Sequence, residues 1–61
     1  MNGKEVVKRL EAQGWEVLRI KGSHCRMGKD DQRTTVPLHG ARDIGQGLLK
    51  AIERQSGVKL T

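Results

Sequence analysis

The chain contains no Phe, no Tyr and one Trp, so its core must be built from Val, Leu, Ile and Met with Trp15 as the only large ring. Cys25 is the lone cysteine, which excludes an intrachain disulfide and a Cys-based zinc site. The two histidines lack ligand spacing to it, and no acidic cluster suits Mg²⁺, so neither metal nor other cofactor is expected. Glycine-rich nucleotide loops are absent as well. No apolar run approaches the roughly 20 residues of a membrane span, and the first residues lack the apolar stretch of a signal peptide, so a cytoplasmic protein is expected. With one Pro, no linker and no repeat, the 61 residues read as one domain over 1–61. Below about 70 to 80 residues a single core seldom supplies more than roughly 3 to 5 kcal/mol. The usual staples being missing, there is room for a stabilising partner chain.

Acidic residues are the other shortage. Against 12 Lys and Arg stand 7 Asp and Glu, a net charge of +5, and the isoelectric point is about 10.0. A polyanion is the obvious partner, although net charge bears on association and not on fold. At 34% hydrophobic the chain can still fold, which excludes a disordered tail.

Asn2 and Glu5 stand at capping-box spacing, and Val6, Val7 and Leu10 recur with helical period before Gly14, predicting an amphipathic helix over about residues 3 to 13. Trp15 to Ile20 is β-branched and aromatic and predicts a strand. Its facing is ambiguous, since Trp15 and Val17 favour one side and Leu18 and Ile20 the other; a twist or bulge would reconcile them. His24-Cys25-Arg26-Met27 alternates, with Cys25 and Met27 turned to the core and His24 and Arg26 outward. A polar turn leads to a third strand over Arg33 to Val36, with Thr34 and Val36 inward and Arg33 and Thr35 on the side of His24. Asp43 and Gln46 repeat the capping-box spacing, which predicts a second helix starting near Ile44, striped by Ile44, Leu48, Leu49, Ala51 and Ile52 and ended by Gly57. Val58 and Leu60 would tuck the tail back. The order α-β-β-β-α, with both helices covering one face of a three-stranded antiparallel sheet, is an α+β two-layer domain.

Taken alone, His24 is an exposed strand histidine, either merely solvated or a proton shuttle near neutral pH. Lys21, Arg26, Lys29 and Arg33 are its strand neighbours and form either a solvated charged face or a phosphate-binding surface. Gly22 and Ser23 make the turn that aims His24; Gly22 would supply positive φ or close phosphate approach. His39 is a tempting second acid or base but fits better as a residue fixing the loop before the second helix. Cys25 cannot readily pair with His24 in a nucleophilic dyad, because neighbouring strand side chains face opposite ways. Trp15 reads as core rather than as a base-stacking platform.

Gly14-Trp15, Lys21-Gly22-Ser23-His24, Thr34-Thr35-Val36-Pro37-Leu38-His39, Asp43-Ile44, Gly47, Leu49, Ile52 and Gln55-Ser56-Gly57, in this order and across nearly the whole chain, resemble the HicA-type (YcfA-like) toxins of bacterial toxin–antitoxin pairs. The resemblance implies a double-stranded-RNA-binding-domain-like fold and an mRNA interferase that is inhibited by a HicB-type antitoxin. It places the family's catalytic histidine on His24 and its preceding glycine on Gly22, with Ser23 in the supporting turn. Cys25 stands where the family commonly has a polar, aromatic or second His residue, a mild departure.

The reading that follows is a metal-independent endoribonuclease. RNA carries its own nucleophile in the 2′-hydroxyl, so such an enzyme needs a proton shuttle, His24, and cations around the phosphate, Lys21, Arg26, Lys29 and Arg33. The antitoxin would cover the face of His24. A non-catalytic RNA-binding module of the same fold is the alternative. Double-stranded-RNA binders of that fold use a basic cluster at the start of the second helix, and Asp43-Ile44-Gly45-Gln46-Gly47 has no Lys or Arg there. A third reading is a corepressor acting only through its partner.

Overall fold

Asn2 caps the first helix as its spacing to Glu5 predicts. In the computed structural model, which describes residues 1–61, Asn2 Oδ1 accepts from the Glu5 N–H and Glu5 Oε1 accepts from the Asn2 N–H, each at 3.0 Å. This satisfies two donors that helix geometry leaves unpaired. The helix α1 runs Gly3–Ala12 and buries Val6 and Leu10. Gly14, at φ +93°, turns the chain out of it.

Three strands follow as a meander, β1 (Glu16–Lys21), β2 (His24–Lys29) and β3 (Gln32–Pro37), in the sheet order β1-β2-β3. Both pairings are antiparallel and both connections are two-residue turns. The second helix, α2, spans Gln46–Ser56. Cys25, Met27, Thr34 and Val36 point to one side of the sheet, where they join Val6 and Leu10 of α1, Leu49 and Ile52 of α2, and Trp15, Ile44 and Leu60. Both helices therefore cover one face, the α+β two-layer arrangement expected from the element order. No helix is long and apolar enough to cross a membrane.

The ambiguity in β1 is resolved by a bulge. Val17 lies opposite Met27 and Arg19 opposite Arg26, so the register shifts by one at Leu18. Val17 and Ile20 thereby share the helix side of the sheet, while Leu18 is turned to the other side, its Cδ1 lying against Gly28.

The second helix begins later than the spacing predicts. Its cap is Gly45, which provides no side-chain hydrogen bond. Asp43 is engaged elsewhere: its backbone bridges Asn2, and its carboxylate lies 3.4 Å from the N-terminal ammonium. Ile44 lies before the helix and is buried, its N–H donating to the Met1 carbonyl at 2.9 Å. Leu48, expected in the apolar stripe, is instead 44% exposed. Gly57 ends the helix in the left-handed region at φ +73°. Beyond it the tail returns, with Leu60 buried and Glu53 Oε2 accepting from the N–H groups of Leu60 at 2.6 Å and Thr61 at 3.0 Å.

Candidate active site on the open sheet face

The side of the sheet away from the helices carries the candidate site. Side-chain alternation puts His24 and Arg26 there from β2, Arg19 and Lys21 from β1, and Thr35 from β3. These five residues line an open hollow of about 420 Å³ with no apolar side chain in its wall. Lys21 is the register partner of His24, and Arg19 that of Arg26. Arg26 is held from the other side, its Nη1 donating to Thr35 Oγ1 at 3.0 Å.

His24 is exposed at the first position of β2, directly after the Gly22-Ser23 turn. Gly22 sits at φ +59° while Ser23 does not share the positive φ, the pattern of a hairpin turn whose twist matches its strands. A Cβ on Gly22 would meet nothing within 4 Å, so the glycine is required by conformation and not by crowding. The Ser23 carbonyl accepts from the Leu38 N–H at 2.6 Å, pinning the turn to the exit of β3. The imidazole of His24 makes no hydrogen bond within the protein and is open to a ligand.

Two of the sequence-predicted cations are placed elsewhere. Lys29 follows the alternation of Cys25 and Met27 to the helix side, where its Nζ donates to the Gln13 carbonyl at 2.7 Å. Arg33 is on the face of His24 but at the far end of the sheet, opposite Gly28, with Nη1 donating to the carbonyls of Asp30 and Gln32. Arg19, not among the cations expected beside His24, takes their place in the hollow. The signal was available, because Arg19 and Lys21 are two apart on one strand and must share a face.

Trp15 and Cys25 are core residues, and His39 lies outside the hollow. Trp15 is 2% exposed and belongs to the core, its Nε1 buried without a partner. Cys25 is buried on the opposite side of β2 from His24, and burial, with the Glu11 charge adding to it, raises its thiol pKa and keeps it protonated. His39 is exposed in the loop between β3 and α2, where its carbonyl accepts from the Arg42 N–H at 3.1 Å. No three His, Cys, Asp or Glu side chains converge anywhere in the chain.

A small two-layer α+β domain with an exposed histidine among unpaired cations on its open sheet face is the class that fold and site define. The family model described as "HicA toxin of bacterial toxin-antitoxin" matches residues 3–58. The chain belongs to this family of toxins. It is similar, at 41% identity over 59 residues, to the "Probable mRNA interferase HicA" of Pseudomonas fluorescens (strain Pf0-1), an alignment covering 97% of this chain and 98% of the relative. No solved structure gives a significant match.

Proposed function

We propose that this toxin, one domain over residues 1–61, is a metal-independent endoribonuclease that cuts mRNA and so blocks translation, with His24 as the general acid/base. The observation that carries the reading is the exposed His24 beside Arg19, Lys21 and Arg26, none of them in an ion pair; the single ion pair of the molecule joins the N-terminal ammonium to Asp43. The likeness to a relative named as an mRNA interferase supports RNA as the substrate. Metal independence rests on the donor set, since no group of three ligating side chains is present to hold an ion.

In the proposed reaction His24 takes the proton of a ribose 2′-hydroxyl, and the oxygen attacks the adjacent phosphorus. The bond from phosphorus to the 5′-oxygen breaks, and that oxygen takes a proton from solvent, leaving a 2′,3′-cyclic phosphate and a 5′-hydroxyl. Lys21, the register partner of His24, neutralises the charge that builds on the phosphorane oxygens, an electrostatic role that needs a fixed donor in place before the reaction, and Arg26 binds the RNA backbone beside it. Gly22 and Ser23 hold the turn that presents the imidazole. A cognate HicB-type antitoxin would inhibit by covering the His24 face, whose excess of cations suits an acidic surface.

The test is digestion of a defined mRNA by the purified chain in EDTA, alone and with the antitoxin, with analysis of product ends. Cyclic-phosphate ends that disappear when the antitoxin is added are expected. Dependence on a divalent metal, or 3′-hydroxyl ends, contradicts the mechanism; RNA that is bound but never cut supports the binding-module reading instead. An antitoxin that binds without protecting the RNA argues against occlusion of the site.

A further inference from the structure

The hollow contains two cross-strand rungs. Lys21 faces His24, and one step along the same face Arg19 faces Arg26. Successive same-face residues on a strand are two rises apart, roughly 6.7 Å, about the separation of consecutive phosphates along an RNA strand. Like charges directly opposite one another destabilise a sheet, so the Arg19–Arg26 rung opposes folding unless something anionic bridges it. Nothing in the protein does. Arg26 gives one N–H to Thr35 Oγ1, which fixes its guanidinium beside β3, while Arg19 on the edge strand has no protein acceptor and no carboxylate partner. A guanidinium presents paired donors that match two phosphate oxygens, and two of them on one rung can grip one phosphate from both sides.

We infer that Arg19 and Arg26 form a clamp for the phosphate next to the scissile one, so that the enzyme measures two consecutive phosphates and His24 meets the bond one nucleotide from the clamped group. The inference rests on the nuclease reading for the position of the scissile bond. It assigns Arg19 a substrate-binding role and makes the neighbouring charge of the RNA a determinant of cleavage.

The experiment uses RNA oligonucleotides spanning one mapped cleavage site. In each, a single flanking linkage, built on a deoxynucleotide, carries either an ordinary phosphate or a neutral methylphosphonate. Parent, Arg19→Gln and, as a charge-matched control on α2, Lys50→Gln are compared by kcat/KM. The parent is expected to cut one of the two immediately flanking neutral substrates about tenfold more slowly than its charged counterpart, and to ignore neutralisation three linkages away. Arg19→Gln should cut the charged substrate more slowly than the parent and discriminate less between the two, and Lys50→Gln should discriminate as the parent does. Equal cutting of all substrates by the parent, or full discrimination by Arg19→Gln, overturns the clamp. Should the parent cut nothing, the nuclease reading falls, and binding of the same oligonucleotides decides the clamp separately. Arg19→Gln must then lower the slope of log affinity against log salt by about one, and an unchanged slope overturns it.

Discussion

A methyl group on Gly3 would collide with the Pro37 carbonyl oxygen and press on Leu38 Cδ2 at 3.0 Å. That contact docks the start of α1 on the end of β3, at the strand position that pairs with His24. Gly3→Ala is therefore expected to destabilise the fold by about 1 to 3 kcal/mol through overpacking, read as a lower urea midpoint at unchanged slope. A midpoint equal to or above the parent's would show that the helix end can slide outward freely. At this scale the sequence was informative wherever alternation was followed without interruption. Cys25 and Met27 point inward and His24 and Arg26 outward, as expected. The charge of Lys29 suggests the face of His24, but its parity with Met27 decides, and its ammonium donates to the Gln13 carbonyl. Its long apolar stem runs along the helix side while its ammonium reaches an acceptor at the edge, a common placement for lysine.

Elements were legible in number, order and type, and less so at their ends. Both turns of the meander and the capping box of α1 depend on residues within a few positions of each other, which a sequence displays directly. The start of α2 does not. Asp43 has the right spacing to cap a helix at Ile44, but a long-range bridge to Asn2 uses its backbone, and no pattern local to residues 43–46 reveals that competitor. The pattern of β1 calls for a twist or a bulge, and only the register with β2 decides for a bulge at Leu18.

The closing segment offers a measurable consequence. The backbone N–H of Thr61, then that of Leu60, donates to the Glu53 carboxylate and holds its pKa below the ordinary value of 4.5. A depressed folded-state pKa stabilises above the unfolded value, and that contribution is lost as pH falls through the folded one. Thermal melts of the parent should accordingly show stability declining on the acid side of pH 4.5, and Glu53→Gln should flatten that decline. Parallel pH curves for the two proteins would show that the tail contacts do not contribute to the folded state.

At the scale of the whole molecule, a sheet with one dry face and one charged face explains how so short a chain supports both a core and a site. All three layers of sequence signal, helical stripes, strand alternation and excess positive charge, converge on that division. The 10 apolar core residues come from every element except β1. β1 is an exposed edge strand, and it brings Arg19 and Lys21 to the open face. Composition could foretell a polyanion partner but not which cations act together, because only strand register decides that Arg19 joins the hollow and Arg33 lies at the sheet's far end.

His24 is proposed to perform RNA cleavage on this face. The most direct test is digestion of a defined mRNA in EDTA by the parent and by His24→Ala, the two matched for folding by circular dichroism and melting. Replacing an exposed side chain without protein hydrogen bonds should leave the melt within about 0.5 kcal/mol of the parent's stability. Removing a general acid/base should slow cleavage by roughly 10² to 10⁴. Equal cleavage by the two folded proteins would contradict the account and assign the chemistry to another residue.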